Sequence, residues 1–329
     1  MTKLSLEIFC FYSTIYCIQE TMQGERKVMI KHLGLKAYGK INLGLDVLRR
    51  RENGYHDVRM IMQTVGIFDQ IDLIRNEQPG IQLETNLHYL PTNESNLAYQ
   101  AAKLLMDEFQ ITEGVSIKLK KYIPIAAGMA GGSSNAAAVL FGVNKMFQLG
   151  LSMQGLMDRG VKIGADVPYC IMRGTALSEG IGEILTPLPA VPQCHVLIAK
   201  PAISVSTKFV YENLNANSLR REQHPDIDAI IEGINEQDIH KIADNLGNVL
   251  ETVTIKEYPV IQAIKDQMIA DGAIGSLMSG SGPTVFGLFT DQQAAQKAYE
   301  NLRFGSASCL AKQVYLTNFY NQRNNTKGV

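Results

Sequence analysis

The stretch PIAAGMAGGSSNAAA, residues 124–138, is the part of the chain that decides the fold. Alternating apolar residues over 115–119 predict a strand before it, and residues 133–148 predict a helix after it. Gly131 and Gly132 allow close backbone approach where that helix begins. The first N–H groups of a helix lack intrahelical partners and carry the positive end of its dipole. The junction therefore predicts a phosphate-binding site.

The glycine pattern of this loop differs from two common nucleotide-binding motifs. It lacks the GK[ST] ending of a Walker A loop, and Ala130 and Ser133 stand where a GxGxxG motif would need glycine. A packed turn, whose small residues serve close helix contact, is an alternative that the residues leave open. If the loop binds phosphate, the hydroxyls of Ser133 and Ser134 add ligands for phosphate oxygens or Mg²⁺. The predicted phosphate-binding residues are Pro124, Ala126, Ala127, Gly128, Met129, Ala130, Gly131, Gly132, Ser133 and Ser134.

Strands and helices are mixed irregularly on both sides of the loop. Strict alternation over residues 35–47 predicts a half-buried strand with Lys40 and Asn42 side by side on its polar face. Asn53-Gly54 predicts a tight turn. Further predicted strands lie near 57–66, 67–75, 194–199, 274–279, 284–289 and 309–318, and helices near 95–109, 226–248, 258–271 and 291–303. This order predicts an α+β fold in two layered lobes rather than a regular βαβ series.

Composition limits the classes of function. The chain has 329 residues, 46% of them hydrophobic, and domains of about 100–200 residues are common, so two domains are expected. A formal net charge of −1 with no sustained Lys/Arg stripe argues against nucleic acid as a partner. Five cysteines, widely spaced and without a CxxC pair, argue against a disulfide framework or zinc site and favour a cytoplasmic location. No apolar run reaches the roughly 18–20 residues needed to span a bilayer, so no membrane partner is expected.

The predicted domain boundaries follow from these patterns. Residues 1–34 are expected to be an N-terminal extension outside the fold, with Met29 as the natural beginning of the protein. The first lobe is predicted over residues 35–186 and the second over 187–320, with a tail at 321–329. Pro187, Pro189 and Pro192 mark the expected junction between the lobes.

Five motifs occur in an order that resembles the GHMP kinases, the family of galactokinase, homoserine kinase and mevalonate kinase. They are AYGKINL at 37–43, NGYH at 53–56, GGSSNAAA within the glycine loop, GADVPY at 164–169 and LMSGSGPTVF at 277–286. The resemblance covers nearly the whole chain after residue 34, and Ala130 departs from it where many members have glycine. It implies ATP as phosphoryl donor. It also implies a two-lobed fold, with an N-terminal lobe like ribosomal protein S5 domain 2 and a ferredoxin-like C-terminal lobe.

The resemblance implies catalytic roles for Lys40 and Asp166. Phosphoryl transfer depends on positioning and charge stabilisation more than on covalent help. By resemblance, Lys40 partners the Asp166 carboxylate and touches the transferred group, while Asp166 is the general base or orients the acceptor hydroxyl. Without the resemblance, Lys40 would be interpreted as a solvated residue on the polar face of its strand. Asp166 would be interpreted as a turn former or a helix cap before Pro168, in a helix-to-strand connection. Ser134 is the predicted Mg²⁺ contact, direct or through water.

The resemblance also points to a branch of the family whose acceptor carries cytidine diphosphate. Tyr55 and His56 stand where this branch binds cytosine, and Tyr211 resembles a second aromatic residue that covers the ring. Without the resemblance, Tyr55 and His56 would be a strand-end pair and Tyr211 a surface helix residue. Asn42 is predicted to bind the acceptor, and Asn96 is predicted to bind adenosine unless it is only a helix cap. Gly280, Ser281 and Gly282 are predicted to close over the phosphates, and a plain hairpin is the alternative.

The expected activity is ATP- and Mg²⁺-dependent phosphorylation of the 2-hydroxyl of cytidine diphosphate-linked methylerythritol, in the non-mevalonate pathway to isoprenoid precursors. The alternatives are another GHMP kinase, acting on homoserine or mevalonate, and a non-catalytic ligand-sensing relative. A nucleotide-dependent oxidoreductase is disfavoured because the dinucleotide fingerprint is missing. Only small-molecule partners are expected, and the chain is expected to be a monomer or weak homodimer.

Overall fold

A computed structural model describes residues 16–20, 29–216 and 219–322 of the protein. The strands are β1 (Tyr16–Glu20), β2 (Met29–Arg50), β3 (His56–Asn76), β4 (Gly80–Thr85), β5 (Gly114–Lys120), β6 (Thr175–Glu179), β7 (Ile184–Pro187), β8 (His195–Lys200), β9 (Gly247–Asn248), β10 (Gly275–Met278), β11 (Val285–Phe289) and β12 (Gln313–Asn318). The helices are α1 (Leu97–Glu108), α2 (Gly131–Met146), α3 (Met153–Gly160), α4 (Val167–Met172), α5 (Thr207–Asn213), α6 (Ile227–Glu236), α7 (Ile239–Asp244), α8 (Glu251–Glu257), α9 (Val260–Ala270) and α10 (Gln292–Phe304).

Two long antiparallel strands, β2 and β3, form the backbone of the first lobe. Their register shifts between Tyr38 and Lys40, between Asn42 and Gly44, and between Val47 and Arg49. Such bulges bend a strand and re-aim its side chains. The order β1-β2-β3-β5-β4 forms the main sheet, β6 pairs with both β3 and β7, and β9 of the second lobe pairs with β2. The two strands predicted near 57–66 and 67–75 are therefore one continuous strand.

The alanine-rich helix α2 packs between the sheet and the helices α1 and α4. Its buried residues include Ala136, Ala137 and Val139, and small side chains of this kind let helices and sheet approach closely. A Cβ at Gly142 would collide with the Leu73 Cδ1 of the sheet, so a larger residue would force that side chain to move. The packing fixes the first turn of α2, where the glycine-rich loop delivers the chain.

The second lobe is a four-stranded antiparallel sheet in the order β10-β11-β8-β12, with its helices against it. Along the chain, β8, the helices after it, β10, β11, α10 and β12 make a βαββαβ series. This is the predicted ferredoxin-like arrangement. None of the helices in the described residues is long and apolar enough to cross a membrane.

Both predicted ends of the fold need correction. Residues 29–34 belong to β2, where Leu33 is only 1% exposed in the core, and the backbone of β1 pairs with this part of β2. The fold therefore begins before Leu35, since the alternating pattern already includes Leu33. At the other end, the Asn321 side-chain amide donates to the Val191 carbonyl at 2.8 Å, so Asn321 packs on the fold. The rest of the predicted tail, 323–329, lies outside the described residues, as does most of 1–28.

Candidate active site

A cavity of about 1050 Å³ lies between the two lobes. Ligand pockets usually measure about 300–1,000 Å³, so this cavity is a large one. Its walls are the glycine-rich loop, the β2–β3 hairpin, α5 and the loop between β10 and β11. The predicted site residues that line it are Lys40, Tyr55, His56, Asn96, Pro124, Ala126, Ala127, Gly128, Met129, Ala130, Gly131, Gly132, Ser133, Asp166, Tyr211, Gly280 and Ser281.

The glycine-rich loop is held from both lobes. The Lys40 N–H donates to the Met129 carbonyl at 3.2 Å, and the Ser279 hydroxyl donates to the Gly128 carbonyl at 2.9 Å. A Cβ at Gly128, which has φ of 69°, would collide with the Ser279 carbonyl oxygen, so glycine is required here. The two lobes therefore meet at the loop that was predicted to bind phosphate.

Helix α2 begins directly in the cavity. The first helical bond of the turn runs from the Ser134 N–H to the Ala130 carbonyl at 2.8 Å, so the N–H groups of Gly131, Gly132 and Ser133 precede the hydrogen-bonded ladder. Ala130 itself adopts φ of 53° and ψ of 29°, the left-handed conformation that glycine favours. The residue that departs from the family pattern therefore keeps a glycine-like backbone.

A buried polar cluster that the sequence did not reveal fixes the beginning of this loop. Asp69 is fully buried and accepts hydrogen bonds from the Tyr122 N–H at 2.7 Å and the Ile123 N–H at 2.8 Å. It also forms an ion pair with Lys121 and accepts from the Asn135 side chain at 2.8 Å. Asp69 thus joins β3 to the loop and to α2.

Lys121 places a positive charge next to the glycine-rich loop. Its ammonium donates to the Asn135 oxygen at 2.9 Å, and the residue lines the cavity beside Gly131. Burial lowers the pKa of Lys121, while Asp69 acts in the opposite direction. The cation and the dipole of α2 both favour an anion at this point.

Lys40 and Asp166 face the same cavity but do not touch. The Lys40 ammonium donates to the Asn42 side-chain oxygen at 2.7 Å, and both residues are buried. Within the described part of the chain, no ion pair within 4.0 Å joins Lys40 to Asp166, so the predicted direct pairing is absent here. Burial and the Asp166 charge raise the pKa of the buried Cys170 thiol, whereas the Lys40 charge lowers it.

Asp166 precedes the short helix α4, not a strand as predicted. Pro168 stands in the first turn of this helix, where a missing N–H costs nothing. The Asp166 carboxylate is half-buried and accepts no hydrogen bond from another described residue. It is therefore available to a ligand.

The far end of α4 is fixed by Arg173. Its backbone has φ of 63°, a region that L-residues rarely adopt, and its guanidinium donates to the Lys36 carbonyl at 3.0 Å. The same group lies 5.1 Å from the Tyr38 ring, which stacks on Tyr320 at 4.0 Å. These contacts tie the helix next to Asp166 to the strand that carries Lys40.

The cavity wall also carries aromatic residues. The His56 and Tyr211 rings are 5.1 Å apart, tilted by 43°, and Tyr55 is 59% exposed at the rim. Burial and the nearby Arg50 charge lower the pKa of His56, which favours the neutral imidazole. Burial and Asp166 raise the pKa of Tyr211, so its phenol keeps its proton.

Helix α5, which carries Tyr211, is joined to the loop of the second lobe. The hydroxyls of Thr207 and Ser281 are 2.8 Å apart, and both residues line the cavity. Thr207 was not predicted from the sequence. This contact links the aromatic end of the cavity to the loop that was predicted to close over phosphates.

Three predicted site residues do not line the cavity. Asn42 is fully buried beneath Lys40, and it supports that ammonium instead of facing a ligand. Ser134 donates its hydroxyl to the Tyr38 carbonyl at 2.6 Å and is 3% exposed, which disfavours the predicted Mg²⁺ contact, direct or through water. Gly282 faces Met278 inside the second lobe. Asn96 lines the cavity and also caps α1, accepting from the Ala98 N–H at 2.9 Å.

Comparisons with known proteins agree with this geometry. Residues 96–174 match the family described as GHMP kinases N terminal domain, and residues 230–306 match GHMP kinases C terminal. The chain is 56% identical to the 4-diphosphocytidyl-2-C-methyl-D-erythritol kinase of Lachnoclostridium phytofermentans, over 89% of this chain and 99% of the relative. It is 49% identical to the kinase of the same name from Clostridium perfringens, over 88% of this chain and 99% of the relative.

Solved structures agree as well. A crystal structure of 4-(cytidine 5'-diphospho)-2C-methyl-D-erythritol kinase superposes with a TM-score of 0.71 at 30% identity, covering 87% of this chain and 98% of that one. A homoserine kinase from Cytophaga hutchinsonii, at 19% identity and a TM-score of 0.73, covers 92% of this chain and 98% of its own and shares the fold. The chain belongs to the GHMP kinase family, and the relatives that it matches over most of its length are the 4-diphosphocytidyl-2-C-methyl-D-erythritol kinases. It is therefore an ATP-dependent small-molecule kinase, as the motifs predicted.

Proposed function

We propose that this kinase transfers the γ-phosphoryl group of ATP to the 2-hydroxyl of 4-diphosphocytidyl-2-C-methyl-D-erythritol. The observation that carries the proposal is the aromatic pair of His56 and Tyr211 in the same cavity as the glycine-rich loop. A nucleobase can bind against this pair, because every base has a π face for stacking on an aromatic ring and polar edges for hydrogen bonds. The shared name of the similar kinases supports the same acceptor.

In the proposed reaction, each end of the cavity holds one substrate. The N–H groups of Gly131, Gly132 and Ser133, with Lys121 beneath them, bind the triphosphate of ATP. The acceptor places its cytosine at His56 and Tyr211 and its hydroxyl between Lys40 and Asp166.

The transfer forms one bond to the γ-phosphorus and breaks another, and the acceptor hydroxyl loses its proton. The acceptor oxygen forms a bond to phosphorus, the bond from phosphorus to the β,γ-bridging oxygen breaks, and ADP leaves. Asp166 orients the hydroxyl and accepts its proton, while the Lys40 ammonium compensates charge on the transferred group. Asn42 contributes by holding that ammonium in place at 2.7 Å.

A magnesium ion belongs to the proposal as the partner of ATP. Within the described residues, no group of three or more His, Cys, Asp or Glu could hold a metal by itself. That fits Mg²⁺, which usually takes one or two carboxylates and substrate phosphates. Asp166 and the Ser133 hydroxyl are the residues that would hold it, and the bound ion would neutralise phosphate charge.

Steady-state consumption of ATP tests the proposal. The full chain is assayed with 4-diphosphocytidyl-2-C-methyl-D-erythritol, homoserine and mevalonate in turn, and Asp166→Asn is the control. We expect turnover with the cytidine compound alone, and a loss of about 10²–10⁴-fold in kcat for Asp166→Asn with ATP affinity retained. Equal or faster turnover of homoserine or mevalonate would refute the proposed acceptor, and an unchanged kcat in Asp166→Asn would refute the role of Asp166.

A further inference from the structure

Three consecutive arginines stand at the end of β2: Arg49 and Arg50 are its last residues, and Arg51 follows it. Arg49 and Arg51 both form ion pairs with Asp57, with Arg51 Nε and Asp57 Oδ1 2.7 Å apart. Successive side chains of a strand point to opposite faces, so Arg50 points away from Asp57. Among the described residues, Arg50 makes no ion pair or hydrogen bond through its guanidinium. The triplet thus contains one arginine without a counter-charge.

Arg50 lies at the aromatic end of the cavity. Its backbone pairs with that of His56 across the hairpin, and both residues line the cavity. Residues paired across two antiparallel strands present their side chains on the same face, and the Arg50 charge helps burial to lower the pKa of His56. If cytosine binds at His56, the Arg50 guanidinium lies near the group that is attached to the ribose of the nucleoside.

The other cations of the cavity wall have different partners or positions. Lys121 is paired with Asp69, and Lys208 lies 3.8 Å from the Glu212 carboxylate. Lys40 is buried against Asn42, in the part of the cavity that holds Asp166. Arg50 is therefore the cation of this described wall that is free to meet an anion near His56.

We propose that Arg50 binds the diphosphate of the cytidine-linked acceptor and so helps the kinase to select it. This inference rests on the proposed function, because it takes the acceptor to be a cytidine diphosphate derivative. The diphosphate joins the nucleoside to the alcohol, so it must pass between His56 and Lys40. A guanidinium binds phosphate through two parallel N–H···O bonds, which a lysine cannot reproduce.

Calorimetric titration of the full chain with CDP and with cytidine tests the proposal. For Arg50→Gln we expect CDP affinity to fall about tenfold and cytidine affinity to change by less than about twofold. Arg49→Gln is the matched control, because it removes a neighbouring charge that is paired with Asp57 and points away from the cavity. It should leave both affinities unchanged. In the kinase assay, Arg50→Gln should raise the acceptor KM by about tenfold with kcat and the KM for ATP unchanged.

The outcomes separate this inference from the proposed function. If the natural chain binds CDP and turns over the acceptor, but Arg50→Gln weakens CDP and cytidine equally or neither, the diphosphate contact is refuted and the proposed function stands. If the natural chain neither binds CDP nor turns over the acceptor, the proposed function fails first. Partial recovery of CDP affinity in Arg50→Lys would support a charge contact, and full recovery would contradict the bidentate one.

Discussion

Replacement of Asp69 by asparagine should strongly destabilise the fold. The substitution keeps the size of the side chain but removes the negative charge that faces the Lys121 ammonium. Both residues are buried, with side-chain exposures of 0% for Asp69 and 6% for Lys121. Removing one partner of a buried ion pair costs about 3–5 kcal/mol, since the remaining charge loses its compensation. We expect the free energy of unfolding to fall by that amount at neutral pH.

The control is Asp72→Asn, in the same strand β3. Asp72 contacts His32 at 3.0 Å, but its side chain is 42% exposed. Pairs exposed to this degree contribute about 0–1 kcal/mol. Urea unfolding followed by far-ultraviolet circular dichroism measures both variants, and the double variant Asp69→Asn/Lys121→Met should recover much of the loss because no charge is left buried.

The dependence on pH gives a second check. The pKa of Lys121 is already lowered by burial, and loss of Asp69 removes the group that opposes this shift. A lysine whose folded pKa lies below its unfolded pKa binds fewer protons in the folded state, so stability rises with pH through that window. The loss in Asp69→Asn should therefore shrink as the pH is raised from 7 towards the unfolded pKa of about 10.4. A loss no larger than that of Asp72→Asn, or one that is independent of pH, would refute this account of the cluster.

Three further substitutions test individual site assignments. Ala130→Gly should raise the free energy of unfolding by about 0.5–1 kcal/mol, because glycine adopts the left-handed φ of 53° without strain, and this gain outweighs the entropy that glycine adds to the unfolded chain. A lower free energy of unfolding in a urea titration would contradict the left-handed conformation of residue 130. Ser134→Ala should cost about 1–3 kcal/mol by leaving the Tyr38 carbonyl unpaired, while the Mg²⁺ concentration for half-maximal activity stays constant; a changed requirement would restore Ser134 as a metal contact. Tyr211→Ala should raise the acceptor KM by about 5–150-fold, because the cytosine loses a stacking partner. The control Phe209→Ala, on the same helix but outside the cavity, should leave that KM unchanged, and equal effects of the two substitutions would show that Tyr211 does not bind cytosine.

The sequence was most informative where local chemistry decides structure. The glycine-rich loop, the helix after it and the alternation of β2 were predictable, because each depends on residues close together in the chain. The same alternation put Lys40 and Asn42 side by side, and their contact at 2.7 Å agrees with it. The alternation did not reveal that Asn42 is fully buried, because the bulges on either side of Asn42 depend on the register between β2 and β3.

Contacts between distant residues could not be predicted from one sequence. Asp69 and Lys121 are 52 residues apart and meet only because β5 pairs with β3. Thr207 and Ser281 are 74 residues apart and meet only because β11 lies next to β8 in the sheet of the second lobe, which brings α5 to the loop between β10 and β11. Asp166 was misplaced for a different reason: Pro168 indicates a turn or the first turn of a helix equally well, and α4 has only 6 residues.

A crystal structure with Mg²⁺, a non-hydrolysable ATP analogue and 4-diphosphocytidyl-2-C-methyl-D-erythritol would test the central claim most directly. The account predicts the triphosphate on the N–H groups of Gly131, Gly132 and Ser133. It also predicts that the acceptor 2-hydroxyl lies within hydrogen-bond distance, about 3 Å, of the Asp166 carboxylate, and that Lys40 faces the γ-phosphate. A triphosphate bound away from the beginning of α2, or an acceptor hydroxyl remote from Asp166, would contradict it.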